Sequence, residues 1–390
     1  MLTCQSDQFQ IPKAITYLNC AAQSPLPLNV EAAGIKGVQR KSFPHTIGQR
    51  DYFDPVIELK KRFAQLLQLE DFQRIAIIPA VSYGMANVVQ NIKIVSGKSE
   101  VVLLEDQFPS NYYPWKVWAD QHQVTLKIIK APSQGPNRAK VWNERILAAI
   151  TPATLAVSLP QIHWTDGTLF DLEKIRTKTK ALEALLIIDG SQSIGAMPMH
   201  LDQLQPDAVV CAGYKWLMGP YGFGLAYYGP YFDNGQPIEQ SWINRKDSDN
   251  FAQLVNYQGE FKEKANRYSM GEHSNFIAIP MLLQAIENLL AWEVEQIQSY
   301  CKNLIAKPVE ELLTMGCIIE DAAQRSAHLF GIRLPKQVTM EAVIAQFQQQ
   351  QIFVSRRGNT IRVSQHLYNR PADFEQLIGA IKVAWNGKFL

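Results

Sequence analysis

The middle of the chain alternates short apolar runs with longer stretches of helical periodicity, and this pattern limits the possible folds more than any other feature of the sequence. Strands buried on both faces are expected to be continuously apolar, and strand–helix alternation predicts parallel pairing. We therefore predict a large α/β domain built on a mostly parallel sheet. The strand candidates are residues 75–79, 100–104, 124–129, 154–158, 185–188 and 208–211, with 221–228 as one further strand. The helix candidates between them are 82–90, 114–122, 141–150 and 169–182.

The character of the sequence changes after about residue 279. Residues 281–307 have apolar positions at helical spacing and predict one long helix. Short strand-like and helical stretches then follow to the end of the chain, as expected for a smaller α+β domain. We predict a large domain over residues 21–278 and a small C-terminal domain over 279–390, which residues 1–20 also join. The later strand candidates are 317–319, 327–334, 352–355 and 360–364, and the later helix candidates are 340–350 and 372–385.

Composition excludes several classes of protein. The 390 residues carry a net charge of +2, so no global positive field favours nucleic acid. The five cysteines are scattered and form no CxxC spacing, which predicts neither a disulfide framework nor a zinc site. The first ten residues lack the basic and apolar regions of a signal peptide, and no apolar run reaches the length of about 18 residues that a membrane helix needs. We expect a cytoplasmic globular protein that binds neither membrane nor metal.

Two segments that follow apolar strands carry the chemistry. Asp189 ends the run LLIID, at the strand end where parallel α/β sheets bind ligands, although an aspartate here could simply cap a helix. Lys215 follows the strand 208–211, between two aromatic residues that would partly remove it from water. Desolvation lowers the pKa of a lysine and makes its amine a nucleophile, although most lysines are ordinary surface residues.

Together the two residues suit pyridoxal phosphate (PLP). In this chemistry a lysine amine forms a Schiff base with the aldehyde of the cofactor, and an aspartate keeps its pyridine nitrogen protonated. The segments DGSQSIG and AGYKWLMGP, at 189–195 and 212–220, resemble the class V aminotransferase superfamily of fold-type I PLP enzymes. The resemblance extends from YLNCAAQSPLP at 17–27 to IRVSQHLYN at 361–369. It implies the fold-type I architecture, with a sheet of the seven-stranded type, and an active site shared by two subunits of a homodimer.

The resemblance also implies cofactor contacts. The segment PAVSYGMAN starts a helix whose N-terminus would cradle the phosphate. The segment DQFPSNYYPW carries the ring that would stack on the pyridine, in a pattern similar to that of kynureninases but with Asn111 in place of an aspartate. That ring could alternatively be an ordinary core aromatic. The residues implied to contact the cofactor are Ser82, Tyr83, Phe108, His163 or Trp164, Gln192 and Tyr214, with His273 and Ser274 supplied by the partner subunit.

The C-terminal motif IRVSQHLYN implies that Arg362 binds the substrate α-carboxylate. Arg356 or its neighbour Arg357 could bind a second acidic group. Cysteine desulfurases need a nucleophilic cysteine on the loop before this strand, and the loop here, SRRGNT, has none. We therefore expect an aminotransferase acting on an amino acid. A carbon–sulfur lyase, a kynureninase-like hydrolase, a racemase or epimerase, and a protein that binds PLP without turnover are the alternatives.

Overall fold

The computed structural model describes residues 2–133 and 137–386 and shows a mixed α/β architecture. The strands are β1 (Thr16–Tyr17), β2 (Ile75–Ile78), β3 (Glu100–Leu104), β4 (Thr125–Ile129), β5 (Thr154–Pro160), β6 (Leu185–Asp189), β7 (Ala208–Ala212), β8 (Gly224–Tyr228), β9 (Leu329–Ile332), β10 (Ile352–Phe353), β11 (Ser355–Arg357) and β12 (Thr360–Ser364). The helices are α1 (Leu28–Lys41), α2 (Asp54–Leu66), α3 (Val81–Gln90), α4 (Pro109–His122), α5 (Arg138–Ala149), α6 (Leu172–Ala181), α7 (Leu201–Leu204), α8 (Ala278–Trp292), α9 (Val294–Thr314), α10 (Met340–Gln349) and α11 (Pro371–Asn386).

The central sheet has seven strands in the order β2-β8-β7-β6-β5-β3-β4. Strand β8 runs antiparallel to both of its neighbours, and the remaining pairs are parallel. Six strands therefore share one direction, and their carboxyl ends lie along one edge of the sheet. This confirms the mostly parallel sheet that the apolar runs predict.

Both faces of this sheet are buried, and side chains alternate between the two faces along each strand. In β2, Ile75 and Ile77 belong to the apolar core on one face, and Ala76 and Ile78 belong to the core on the other. Helices α1, α2 and α8 pack together over the first core, and α3 and α4 pack together over the second. The continuous apolar runs are thus explained by helices on both sides.

A third apolar core lies under the antiparallel sheet β11-β12-β9 and helices α9, α10 and α11. The N-terminal strand β1 joins this region by pairing in parallel with β10. The domain boundaries at residues 20 and 278 stay a prediction. Among the residues described, no helix is both long and apolar enough to cross a membrane.

Three elements differ from the sequence-based expectations. The single long helix over 281–307 is wrong: α8 ends at Trp292, and α9 starts after Glu293, whose φ of 59° interrupts the helical backbone. Residues 317–319 form only an isolated bridge, between Ile318 and Arg333, and no strand. Helices α1 and α2, whose amphipathic patterns were not recognised in the sequence, cover one face of the large sheet.

Candidate active site

The loops that leave the carboxyl ends of the parallel strands bring the sequence-predicted residues to one edge of the sheet. Asp189 ends β6, Lys215 follows β7, Phe108 follows β3, and Trp164 follows β5. The start of α3 follows β2 at the same edge. The topology of the sheet therefore collects groups that are far apart in sequence into one pocket.

Lys215 is a buried amine, with 5% of its surface exposed. Its Nζ lies 4.9 Å from the ring centre of Phe108 and 5.6 Å from that of Tyr214. Burial lowers the pKa of Lys215 to about 8; the carboxylate of Asp189 opposes this shift, and the guanidinium of Arg362 adds to it. An amine with this pKa is neutral in about one molecule in ten at pH 7, and the neutral form is the one that acts as a nucleophile or base.

The carboxylate of Asp189 faces the same space. Its Oδ1 accepts a hydrogen bond of 3.0 Å from the backbone N–H of Ser191, and burial raises its pKa. The Oγ of Ser191 in turn accepts a hydrogen bond of 3.2 Å from the N–H of Ala212, at the end of β7. This bond ties the loop that follows Asp189 (residues 190–200, the aspartate loop) to strand β7, which precedes the loop with Lys215 (residues 213–223, the lysine loop).

Gly195 sets how closely these two loops approach. Its φ is +96°, and a Cβ at this position would strike the carbonyl oxygen of Trp216, directly after Lys215. Only glycine combines this backbone conformation with such a close approach. The residue therefore fixes the distance between the aspartate loop and the lysine loop.

An aromatic wall borders the pocket. The rings of Phe108 and Trp164 meet edge to face at 5.4 Å between centres, and Trp164 Nε1 donates to the carbonyl of Asp106 at 2.6 Å. Phe108 is half-buried and has Lys215 over its ring, so it is not simply a core residue.

His163 and Trp164 left an open choice, and the structure separates them. His163 is buried away from the wall, with Nδ1 2.7 Å from the Thr165 hydroxyl and Nε2 3.3 Å from the carbonyl of Glu105. Both of its ring nitrogens have protein partners, and burial lowers its pKa. Trp164 is the member of the pair that reaches Phe108.

Gln192 is also engaged within the protein. Its Nε2 donates to the carbonyl of Ala21 at 3.1 Å, and its Oε1 accepts a hydrogen bond of 2.8 Å from Trp216 Nε1. Its position beside the lysine loop thus supports that loop through Trp216.

The residues expected near the phosphate lie at the start of α3 and on the lysine loop. Helix α3 has no side-chain cap. The N–H groups of Tyr83 and Gly84 donate to the carbonyl of Ala80, and within the described residues those of Val81 and Ser82 are left for another acceptor. Ser82 is exposed, and the hydroxyl of Tyr83 donates to Glu239 at 2.8 Å. The ring of Tyr214 packs against that of Tyr221 at 4.5 Å.

Arg362 is almost completely buried, with 1% of its surface exposed. Its Nη1 donates to the carbonyl of Trp164 at 2.9 Å, its Nη2 donates to Ser355 Oγ at 3.2 Å, and its Nε has no partner. Burial, and then the like charge of Arg357, lowers the pKa of Arg362 to about 9, so it stays protonated at neutral pH. Among the described residues no carboxylate pairs with it, although the salt bridges of this region include one at Arg356.

The two neighbouring arginines point to different surroundings. Arg356 is exposed, and its Nη1 forms an ion pair of 3.1 Å with Glu341 on α10. Arg357 is half-buried, with Cζ 5.1 Å from the ring centre of Trp164. The structure therefore brings Arg357 to the pocket and turns Arg356, our sequence-based choice, away from it.

His273 and Ser274 lie in another part of the subunit. His273 lines a cavity of about 490 Å³ with Lys60 and Lys262. Burial, and then the charges of these two lysines, lowers the pKa of His273 to about 3. The hydroxyl of Ser274 donates to the carbonyl of Tyr52 at 2.5 Å. Neither residue contacts Lys215 within one subunit.

Two residues that hold Arg362 were missed in the sequence. Ser355 Oγ donates to Asn19 Oδ1 at 2.7 Å, which joins the two ends of the chain beside the guanidinium. Asn19 stands in the YLNCAAQSPLP segment, but no local signal connects it with a serine 336 positions later.

These loops, and the sheet that carries them, have the architecture of fold-type I enzymes. The sequence model of the family Aminotransferase class-V matches residues 16–377, and the chain belongs to this family. The chain is 21% identical to an uncharacterized aminotransferase, YcbU, of Bacillus subtilis, over 85% of this chain and 88% of that protein. It is 25% identical to a probable cysteine desulfurase of Borreliella burgdorferi, over 77% and 71% of the two chains.

Solved structures share the fold. A cysteine desulfurase from Thermococcus onnurineus NA1 superposes with a TM-score of 0.82 at 17% identity, covering 99% of both chains. The cystine C–S lyase C-DES, in complex with its product cysteine persulfide, superposes with a TM-score of 0.81 at 17% identity, covering 94% of this chain and 97% of that one.

Proposed function

We propose that the protein is a PLP-dependent aminotransferase that acts on an α-amino acid, with Lys215 as the residue that holds the cofactor. The observation that carries the proposal is the buried, partly neutral amine of Lys215 opposite the buried carboxylate of Asp189. Enzymes of the class-V family use PLP, and the structure of a C-DES variant has glycine covalently linked to the PLP cofactor.

The residues present fit this cofactor. A buried carboxylate suits a protonated ring nitrogen, and the ring of Phe108 borders the space above Lys215. The uncapped N-terminus of α3 offers backbone N–H groups and a positive dipole end to a phosphate. When bound, PLP supplies an aldehyde that links to amines and a ring that takes up electrons.

Each side chain then has one task in the reaction. Asp189 would hold a proton on the ring nitrogen of the bound cofactor. Arg362 binds the α-carboxylate of the amino acid and so fixes which bond at its Cα faces Lys215. The Nζ of Lys215 would accept the proton from Cα and hold it for return to the product. Its pKa of about 8 suits both the uptake and the release of a proton near neutral pH.

The cysteines support an aminotransferase over a desulfurase. Cys20 lies close enough to Arg362 for a thiolate there to raise the pKa of the arginine. However, Cys20 is fully buried, and burial raises the pKa of its thiol to about 12. Cys211 and Cys301 are also fully enclosed, and burial raises their pKa values too. A persulfide mechanism needs a thiolate at the substrate, and none of these thiols is suited to form one.

The test is the visible spectrum of the protein with PLP during addition of amino acids. We expect the absorbance band of the lysine-bound cofactor to disappear stably with an amino acid and to return with a 2-oxo acid. A band that persists while ammonia and a 2-oxo acid, or a released thiol, accumulate would instead identify a lyase. Lys215→Ala should remove the band and turnover while leaving the circular dichroism unchanged. The matched control Lys174→Ala, at an exposed lysine paired with Asp171, should keep both.

We also propose a homodimer whose two subunits share each active site. Large apolar side chains are exposed on and after α1 and on the loop near residue 255, as expected of a surface that another subunit covers. The most exposed are Val38 (54%), Phe43 (59%), Val255 (80%) and Tyr257 (97%). His273 and Ser274, remote from Lys215 in their own subunit, would then serve the partner's site.

Complementation tests the shared site. Coexpressing Lys215→Ala with His273→Ala should restore activity that neither variant has alone, because one site of each mixed dimer is intact. A monomer in sedimentation, or no recovery in mixed dimers, would contradict the proposal.

A further inference from the structure

Two arginines share one face of the hairpin β11–β12. Ser355 pairs with Arg362, and Arg357 pairs with Thr360, across the antiparallel register. Alternation along a strand places Arg357 on the same face as Ser355, and therefore on the same face as Arg362. The two arginines are diagonal neighbours, whose Cα atoms are roughly 7–8 Å apart in such a pair. Arg356 pairs with Ile361 and faces the other way.

Arg357 is held in place but lacks an anionic partner. Its guanidinium lies over the ring of Trp164, and its Nη1 donates to the carbonyl of Arg356 at 3.0 Å. Its Nε is buried and has no hydrogen-bond acceptor. Within residues 2–133 and 137–386, neither Arg357 nor Arg362 forms a salt bridge, whereas the exposed Arg356 does. A partly buried guanidinium without a carboxylate is a group that an anion would stabilise.

The pocket also carries more positive than negative charge. Among the described residues, Asp189 is the carboxylate whose charge is felt at Lys215, where the charges of Arg362 and Arg357 are felt as well. The charge of Arg357 is also felt at Arg362. The α-carboxylate of an amino acid balances Arg362 in the proposed function. The charge of Arg357 would still be left without a partner.

We propose that Arg357 binds a second acidic group of the substrate, so that the site selects amino acids with an acidic side chain over neutral ones. This inference rests on the proposed function, in which Arg362 binds the α-carboxylate. Trp164 links the two arginines: its ring supports one guanidinium, and its carbonyl oxygen accepts from the other. The planar guanidinium can grip a carboxylate through two parallel hydrogen bonds, which a neutral amide cannot match.

Acidic amino acids and their amides provide a direct test, since each pair has nearly the same shape. We expect wild-type kcat/KM for L-glutamate or L-aspartate to exceed that for the matching amide at least about tenfold. Arg357→Gln should lower kcat/KM for the acids about 10- to 100-fold, mainly through KM, as loss of a charge-assisted contact implies. The same variant should change the amides by less than about twofold. The matched control Arg356→Gln, on the opposite face of the hairpin, should leave kcat/KM unchanged for both the acids and the amides.

A binding measurement separates this inference from the proposed reaction. Glutarate has two carboxylates and butyrate has one, and neither has an amine that could react. Quenching of tryptophan fluorescence should show that the wild-type protein binds glutarate about tenfold or more tightly than butyrate, and that Arg357→Gln removes this preference. If glutarate shows no preference, or if the variant weakens both ligands equally, the inference is overturned. If no amino acid is turned over but the glutarate preference holds, only the proposed function fails.

Discussion

Replacing Arg362 by methionine should make the protein more stable and less active at the same time. The guanidinium is buried, with no carboxylate beside it among the described residues, and burial lowers its pKa from 12.5 to about 9. A shift of about 3.5 pKa units corresponds to about 5 kcal/mol by which the buried charge destabilises the folded state. Arg362→Met removes that cost and keeps an unbranched side chain that reaches about as far as Nε of the arginine.

Part of this gain is lost again. The carbonyl oxygen of Trp164 would lose its donor, which costs about 1–3 kcal/mol. We therefore expect the free energy of unfolding at pH 7 to rise by about 2–4 kcal/mol, as found when buried charges give way to apolar residues. The gain should shrink above pH 9, where the folded wild-type arginine loses its proton before the unfolded one does.

Urea unfolding of the two proteins without cofactor, at pH 7 and pH 9.5, measures the stability. Parallel assays of amino-acid turnover should show kcat/KM about 100- to 1000-fold lower, equivalent to two lost charge-assisted hydrogen bonds. A binding residue predicts these opposite effects. A purely structural arginine predicts that Arg362→Met unfolds more easily, and that result would refute the reasoning.

Three further changes test other parts of the structure. Asp189→Asn removes the one negative charge beside Lys215, so turnover measured at saturating PLP should fall at least about 100-fold, and the pKa of Lys215, followed by the pH dependence of its chemical labelling, should fall further. Gly195→Ala would bring a Cβ onto the carbonyl of Trp216 at a φ of +96°, so the midpoint of urea unfolding and the affinity for PLP should both decrease. The control Gly97→Ala has a φ of +82° but no atom within 4 Å of its Cβ, so it should lower only the unfolding midpoint. Lys60→Met should raise the melting temperature, because burial lowers the pKa of Lys60 to about 7 in the folded protein. The unfolded lysine keeps its proton up to its ordinary pKa of 10.5. The difference in melting temperature between variant and wild type should therefore be largest below pH 7 and decline towards pH 10.5.

Much of the fold could be predicted because each parallel strand is a continuous apolar run between recognisable helices. The strands β3, β6 and β7 lie within one residue of their predicted ends. The break between α8 and α9 could not be predicted, because residues 281–307 keep helical spacing through Glu293 and only the backbone conformation of that residue interrupts it.

The site was predictable where the sequence alone places a residue at a strand end. Asp189 and Lys215 were singled out in this way and lie at that edge of the sheet, and their roles stay a prediction. The choice between Arg356 and Arg357 was not, because it depends on the register of β11 against β12, and a shift by one residue exchanges the two faces. His163 and Trp164 stand in a turn without periodicity, so the sequence does not indicate which ring faces the pocket. In the structure the Thr165 hydroxyl and the Glu105 carbonyl hold His163 inside the protein.

The pairing of β1 with β10 has a consequence for the order of events during synthesis. Thr16 pairs with Ile352, so a segment that leaves the ribosome early must wait for one made 336 residues later. At about 5–20 residues per second this delay is roughly 20–70 s. During that interval the Asn19–Ser355 contact beside Arg362 cannot form. The nascent chain can assemble the large sheet, whose strands lie between residues 75 and 228, before the segment that carries Ser355 and Arg362 has been synthesised. The surroundings of Arg362 therefore form after the sheet.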